Sequence, residues 1–317
     1  MFAMITTAST TLSPEILKDA RRRERRVAWR QTRTAWLFIA PAVFMVGSFL
    51  LAPVIFNVIL SFTRWQKFTG LDKFAGFANY QRLFAVPYFS EALANTAIWV
   101  VGAMVLPLAF GLGLALLLRN IPLQETFKSL FFLPKVLAPT AVGAIWYYVY
   151  APRGVINSAV SGVTGSPYDM GWLYSAATVT PSVIVTFVWQ TVGITMVLLL
   201  LGLAAIPRDP IEAARVDGAS SGQIFRHIIW PLLLPTVLVV TILNVAAGFT
   251  TFDLLWVMAS DFPGKRTLSL AVYMYYESFS NGAWAYGSAV AVVLGVMVIA
   301  VTAALAVIQS RVEKNIR

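Results

Sequence analysis

The sequence predicts an all-α membrane protein with six transmembrane helices and a cytoplasmic helix-turn-helix coupling loop. Of its 317 residues, 58% are hydrophobic and only 12% are charged, whereas about a quarter of a soluble chain is charged. The mean hydropathy of +0.74 is too high for a chain with a single membrane anchor. Apolar segments of about 20 residues, the length of a bilayer crossing, recur along the chain. A soluble enzyme with a hydrophobic tail is therefore excluded.

Residues 1–35 are predicted to form a basic cytoplasmic tail. Ser13, Pro14 and Glu15 are typical of a helix start, so a basic helix is expected over residues 14–30, lying against anionic lipid. A solvated tail without a specific role is the alternative. A cleavable signal peptide is not expected, because the arginine run leads into a full-length span without a small-residue cleavage site.

Residues 36–317 are predicted to form one membrane domain that crosses the bilayer six times. Pro134 and Pro139 interrupt the helical hydrogen bonding of the third apolar segment, so a bent or re-entrant start is expected there. The six segments lie near residues 36–61, 96–118, 127–150, 181–206, 231–258 and 287–309.

The basic residues predict how these spans are oriented. With six crossings, the segments on the side of both termini hold 17 Lys and Arg residues, and those on the other side hold 7. Because basic residues are retained on the cytoplasmic side, both termini are expected in the cytoplasm. The net charge of +10 is interpreted in the same way, and no nucleic-acid partner is expected.

The sequence lacks the residues that catalysis, metal binding or ion coupling would need. There is no cysteine, and one histidine, His227, cannot form an imidazole cluster. The predicted spans hold one carboxylate, Asp253, whereas ion-coupled transporters bury interacting charged groups. No phosphate-binding loop is found, and residues 218–222 match a hydrolase motif without the strand that the motif requires. No enzyme activity and no bound cofactor are expected.

The loop between the fourth and fifth spans has the strongest local pattern. Asp209 with Glu212 predicts a capping box that starts one short helix, and Ser220 with Gln223 predicts a second. Gly218 is placed to supply the left-handed residue that ends the first helix. A rigid helix-turn-helix is expected, whose small alanines and neighbouring apolar side chains form a knob for a groove of another protein.

This loop resembles the coupling loop of the integral-membrane permease subunits of binding-protein-dependent ABC importers, and within them the sugar and glycerol-phosphate branch. The shared pattern is E-A-A, two residues, D-G-A, then a phenylalanine, an isoleucine and two prolines that bracket leucines. Trp230 stands where that branch usually has leucine, and residues 259–264 stand where it often has a glycine-rich stretch. The pattern is met here by Glu212, Ala213, Ala214, Asp217, Gly218, Ala219, Phe225, Ile228, Pro231 and Pro235.

The resemblance implies a transmembrane subunit of an ATP-driven importer in the bacterial cytoplasmic (inner) membrane, which passes a carbohydrate or a related polar solute. It implies three partners: a second permease subunit, an ATPase dimer that holds ATP and Mg²⁺, and a periplasmic or lipoprotein solute-binding protein. Residues 207–230 would form the ATPase-coupling loop. The implied coupling residues are Glu212, Ala213, Ala214, Asp217, Gly218, Ala219 and Phe225. The alternative is a self-sufficient channel or secondary transporter, which should show internal repeats or buried charged pairs, and neither is visible.

Two helix faces are predicted to contact the solute. Asn244, Gly248 and Thr251 lie at i, i+4 and i+7 of the fifth span. An amide is costly against lipid, so Asn244 should face protein or a water-filled cavity, where it can hydrogen-bond a sugar hydroxyl. Helix packing is the alternative for these residues. The resembling sugar permeases contact solute from the fourth and fifth spans, and the fourth offers Phe187, Gln190, Thr191 and Ile194.

Overall fold

The computed structural model describes residues 36, 38–66, 70, 73–119, 121–175, 177–259 and 269–316. The predicted basic helix of the tail and the departure from the branch pattern at residues 260–264 lie outside the described residues. By its internal contacts the chain divides into two units, Met1–Asn57 and Val58–Arg317.

The regular elements are helices, as predicted. Within the described residues, five helices are long and apolar enough to cross a membrane, and a bent pair raises the number to as many as six. The second crossing begins at Pro87, well before the predicted residue 96. The helices are α1 Phe38–Ser61, α2 Ala78–Ala85, α3 Pro87–Leu118, α4 Gln124–Val136, α5 Pro139–Val149, α6 Val155–Thr164, α7 Val179–Ala204, α8 Asp209–Val216, α9 Ser221–Thr250, α10 Asp253–Ala259, α11 Leu270–Tyr275 and α12 Trp284–Ile316.

The bent pair, α4 and α5, confirms the break predicted in the third crossing. The two helices meet at 96°. Leu137 and Ala138 between them have extended backbone, because a proline such as Pro139 disfavours helix in the residue before it. The third crossing is therefore two half-length helices with a polar backbone exposed at the joint.

The fifth crossing ends earlier than predicted. The apolar pattern predicts a span to residue 258, but α9 ends at Thr250. Thr251 has extended backbone, and both its N–H (2.9 Å) and its hydroxyl (2.7 Å) donate to the carbonyl of Ala247. Asp253 then starts α10, where a carboxylate is favoured by the positive end of a helix. Asp253 thus begins a separate short helix rather than ending the fifth crossing.

In the first unit, the described residues lie in α1, which contains a π-helical turn at Gly47–Leu51. Its apolar side chains are exposed, Phe49 to 74%. A continuous apolar surface of this kind is covered by lipid or by another protein.

Two apolar clusters hold the second unit together. One of them packs two isoleucines of residues 207–230, Ile211 of α8 and Ile224 at the start of α9, against Leu203 of α7 and Leu233 of α9, and all four side chains are buried. The loop is therefore anchored to both spans, and we call this side of the unit the loop end.

The other cluster is centred on Trp99 of α3. Its ring meets that of Phe187 in α7 edge to face, with centroids 5.2 Å apart. Its indole N–H donates to the carbonyl of Gly248 in α9 at 2.6 Å, which satisfies a polar group that burial would otherwise penalise. One buried side chain thus joins the three helices α3, α7 and α9.

Candidate coupling loop and solute-facing residues

The first helix of the loop, α8, does not begin with the predicted capping box. The prediction that Asp209 caps it and that Glu212 closes the box is wrong, because Arg208 is the N-cap residue. The carbonyl of Arg208 accepts from the N–H groups of Ile211 and Glu212, each at 3.0 Å. Asp209 and Glu212 lie instead in the first turn, where negative charge is favoured by the helix N-terminus. The helix start is therefore stabilised by charge.

The turn after α8 confirms the prediction for Gly218, which is left-handed with a φ of +80°. The N–H of Ala219 donates to the carbonyl of Ala214 at 2.9 Å, and the N–H of Gly218 donates to that of Arg215 at 3.1 Å. This pair of bonds is a Schellman ending, which satisfies carbonyls that a helix end leaves free. A Cβ added to Gly218 would meet no atom within 4 Å, so a substitution there acts through backbone conformation.

The second predicted capping box is confirmed at the start of α9. Ser220 Oγ accepts from the N–H of Gln223 at 3.4 Å, and Gln223 Oε1 accepts from the N–H of Ser220 at 2.8 Å. A π-helical turn, Phe225–Ile229, follows, and the ring of Phe225 packs 6.1 Å from that of Trp230. Both helices of the loop thus have defined ends, which makes the loop rigid.

One side of the loop is exposed. Val216, although apolar, is 88% exposed, and next to it Ala214, Asp217 and His227 line a shallow concavity of about 380 Å³. Because the isoleucine anchors hold the other side, the exposed face can follow the spans as a rigid body. Four of the predicted coupling residues are exposed, namely Glu212, Ala213, Asp217 and Gly218, and three are half-buried, namely Ala214, Ala219 and Phe225.

Six of the seven predicted solute-facing residues lie on α7 and α9, which contact each other through Thr195 and Asn244. Thr251 lies just beyond the end of α9 with extended backbone, so it does not continue the helical face of Asn244 and Gly248 as predicted. Asn244 is 6% exposed, and its Oδ1 accepts from the hydroxyl of Thr195 at 3.4 Å. Among the described residues, its Nδ2 is buried and has no hydrogen-bond partner, so two N–H groups are left unsatisfied in this conformation. Thr195 is missing from the sequence prediction, although it continues the face of Thr191 by one helical turn, and that spacing is the signal for it.

Three other members of the predicted set have their contacts within the protein: Gly248 and Phe187 pack against α3, and Thr191 bonds the backbone of its own helix. A Cβ added to Gly248 would lie 3.0 Å from the Cβ of Ala103 in α3, so the glycine permits close approach of two helices. The hydroxyl of Thr191 donates to the carbonyl of Phe187 at 2.7 Å. Thr191 and Phe187 are both buried, and the ring of Phe187 packs against that of Trp99 in α3.

Of the remaining members, Gln190 is buried and the other two are more exposed. Gln190 Nε2 donates to the carbonyl of Leu137 at 3.2 Å, at the joint between α4 and α5. Ile194 and Thr251 are half-buried. The structure therefore places the amide of Asn244 and the hydroxyls of Thr191 and Thr195 on α7 and α9. The amide of Gln190, also on α7, binds the joint between α4 and α5.

Comparison with known proteins identifies the architecture. The model of one family, described as the binding-protein-dependent transport system inner membrane component, matches residues 30–317. The chain belongs to this family. This permease is therefore a multi-pass inner-membrane component of a transport system and not an enzyme, and the resemblance inferred from its loop is confirmed.

Curated relatives match the permease over most of their length. A probable ABC transporter permease protein of Pyrococcus horikoshii is 31% identical over 267 residues, which are 84% of this chain and 91% of the relative. The sulfoquinovosyl glycerol transport system permease protein of Agrobacterium fabrum is 33% identical over 276 residues, 85% and 88% of the two chains. The lactose transport system permease protein of Rhizobium radiobacter is 30% identical over 273 residues, 83% and 89%.

Solved structures show the same fold. A chain from a bacterial ABC transporter involved in the import of the acidic polysaccharide alginate superposes with a TM-score of 0.78 at 19% identity, covering 90% of the permease and 98% of that chain. A chain from the alginate transporter in complex with a periplasmic protein bound to alginate pentasaccharide gives 0.76 at 18% identity, covering 87% and 95%.

Proposed function

We propose that this permease passes a carbohydrate or a related polar solute across the bacterial cytoplasmic membrane, driven by ATP hydrolysis on a separate subunit. The observation that carries the proposal is the loop 207–230, which is anchored by buried isoleucines, ordered at its helix ends and exposed at Glu212, Asp217 and Gly218. A rigid exposed loop can receive a motion generated elsewhere and pass it to the spans. Relatives named for lactose and sulfoquinovosyl glycerol support a carbohydrate.

Three partners complete the proposed transporter. A second permease subunit supplies the other half of the pathway, and an ATPase dimer holds ATP and Mg²⁺ and receives the coupling loops. A periplasmic or lipoprotein binding protein delivers the solute, and the alginate complex with its periplasmic protein supports this partner. The exposed apolar tip of the loop, Val216, is proposed to enter a groove on the ATPase, because apolar side chains seated in a groove are typical anchors of helix recognition.

Uptake measurements separate this function from that of a self-sufficient channel or secondary transporter. Proteoliposomes that hold the whole transporter should accumulate solute only with binding protein outside and ATP inside, and ionophores should leave the rate unchanged. Uptake by the permease alone would support the alternative, and so would loss of uptake by the whole transporter when ionophores are added. A panel of monosaccharides, disaccharides, glycosides and sugar acids then identifies the solute.

Both termini and the coupling loop are expected to face the cytoplasm. The reason is the distribution of basic residues, 17 on that side against 7 on the other. A topology reporter fused after Arg317 or inserted near Arg215 should give a cytoplasmic signal, and one inserted near Asp169 should give an external signal. An external signal near Arg215 contradicts the coupling proposal, because an ATPase could not reach the loop.

Asn244→Leu and Thr251→Val are expected to change the ranking of competing sugars. The free N–H groups of Asn244 and the hydroxyl oxygen of Thr251 are proposed to bind solute hydroxyls, and one hydrogen bond corresponds to a change of about threefold to tenfold in relative uptake. The measurement is competition uptake with assembled transporter whose ATPase activity is intact, so that a folding defect is not mistaken for altered specificity.

Thr250→Val is the matched control for Thr251→Val. Thr250 is exposed, and its hydroxyl donates to the carbonyl of Ala246 at 2.9 Å. Thr250 is the last residue of α9 and is exposed, whereas Thr251 follows the helix end with extended backbone and is half-buried, so the loss of the Thr250 hydroxyl should leave the ranking unchanged. If Asn244→Leu and Thr251→Val both assemble and also leave the ranking unchanged, the two residues are packing groups and the proposed solute face is wrong.

A further inference from the structure

A basic cleft of about 570 Å³ opens at the loop end of the second unit, between α3, α4, α7 and the coupling loop. Its polar wall combines side chains from the ends of the spans with side chains from the loop. The cationic residues that line the cleft are Arg119, Lys128, Arg208 and Arg215, and the one lining carboxylate is that of Glu212.

The positive charge of the basic cleft exceeds its negative charge. Lys128 Nζ pairs with Glu125 at 2.8 Å, where the lysine is 26% and the glutamate 85% exposed. In the part of the chain that the structure describes, Arg119, Arg208 and Arg215 form no ion pair. Three guanidinium groups against one lining carboxylate create a site that attracts anions, and guanidinium suits phosphate in particular.

The other wall of the basic cleft is hydrocarbon. It includes Val197, Leu200 and Leu201 of α7, and Leu201 is 63% exposed. Since α7 ends at Ala204, this wall extends from the end of the span into the depth of the bilayer, while the cationic groups surround the end itself. A soluble anion would bind the cationic side chains and leave the apolar wall of the cleft uncovered.

We propose that the basic cleft binds an anionic phospholipid, with its phosphate at the arginines and an acyl chain along Val197 and Leu201. Basic pockets at the ends of transmembrane helices are suited to such headgroups, and the cleft volume is that of a small-molecule site. The lipid joins Arg119 of α3 to Arg215 of the coupling loop. It therefore stabilises the position of the loop relative to the spans, a role that does not depend on which solute is transported.

Lipid retention by the whole transporter tests the proposal. The transporter is purified from vesicles of phosphatidylcholine and phosphatidylglycerol in equal parts, and the bound lipid is measured by native mass spectrometry. Each unpaired cationic side chain near a membrane surface corresponds to about fivefold in affinity for anionic lipid, and the charge of Lys128 is already paired with Glu125. The double variant Arg119→Gln with Lys128→Gln should therefore retain at least about fivefold less phosphatidylglycerol, and at most roughly 25-fold less.

Lys135→Gln is the matched control, because it removes a charge from the same helix, α4, outside the cleft. It should retain phosphatidylglycerol as the unaltered transporter does. A second measurement needs no variant: a photoactivatable phosphatidylglycerol should label the peptide that contains Gln124 and Lys128 in the unaltered transporter.

Three results would overturn the lipid site. The first is equal retention by the double variant and the control, or no label in that peptide. The second is protection from the label by excess inorganic phosphate as complete as that by unlabelled phosphatidylglycerol, which would show a soluble anion instead. The third is loss of the ATPase from the double variant with labelling unchanged, which would assign the cleft to subunit docking.

Discussion

Gly193→Ala should leave little folded permease in the membrane. A Cβ added to Gly193 in α7 would overlap the carbonyl group of Phe131 in α4 and lie 2.8 Å from the backbone nitrogen of Phe132. Because the obstructing atoms belong to the backbone, rotation of a side chain cannot remove the overlap, and the two helices must separate. Overpacking of this kind costs about 1–3 kcal/mol and sometimes more, a large share of the stability of an ordinary domain.

The measurement for Gly193→Ala is the yield and melting temperature of monodisperse transporter on size-exclusion chromatography. Gly113→Ala in α3 is the matched control, since a Cβ there would meet no atom within 4 Å and alanine favours helix over glycine by about 1 kcal/mol. It should equal or slightly exceed the unaltered protein. Normal assembly of Gly193→Ala would contradict the close approach of α4 and α7.

The crossings themselves could be predicted from the sequence because the bilayer constrains them locally. Hydrocarbon excludes charges and demands internal backbone hydrogen bonds over a fixed length, so each span leaves its own signature. The joint at Leu137 and Ala138 was predictable for the same reason, since Pro134 and Pro139 act on their own neighbours. The break after Thr250 was not, because the apolar residues Phe249, Phe252 and Leu254 continue the hydrophobic pattern through it despite the threonines and Asp253.

The contacts between spans could not be predicted. Gly193 and Gly113 look alike in the sequence, and only the pairing of α4 with α7 distinguishes them. The bond from Trp99 to the Gly248 carbonyl likewise joins residues 149 positions apart. Such pairings depend on which helix faces meet, and a chain that is apolar all round carries little information about that choice.

The helix ends of the coupling loop could be predicted where a residue type favours one position at a helix end. They could not be predicted where the residue type favours two positions. Glycine is the usual residue at a left-handed helix end, and Gly218 has that conformation. Aspartate is favoured both as an N-cap and in the first turn, so the pattern did not distinguish Asp209 from Arg208 as the cap. The sequence predicted that Asn244 faces protein or a cavity rather than lipid, and the residue is buried. Its partner was beyond the pattern, because Thr195 lies on another span.

Gly218→Val is expected to abolish uptake while the permease still inserts. At a φ of +80°, a β-branched residue is strained by about 1–2 kcal/mol or more, so the backbone moves to negative φ. The Schellman bonds of Gly218 and Ala219 to Arg215 and Ala214 are then lost, and the second helix is redirected relative to α8. The exposed face that we propose as the ATPase contact would no longer match its groove, although the buried anchors of the spans remain.

Three readouts on the same preparation test the effect of Gly218→Val: membrane insertion, co-purification of the ATPase, and solute uptake. Gly218→Asn is the conservative variant, because asparagine tolerates left-handed backbone, and it should keep most of the uptake. Gly222→Val places the same side chain four residues along, in helical backbone with no atom within 4 Å of an added Cβ, and should also transport. If Gly218→Val transports normally, or if Gly222→Val loses uptake to the same extent, the left-handed turn does not govern coupling.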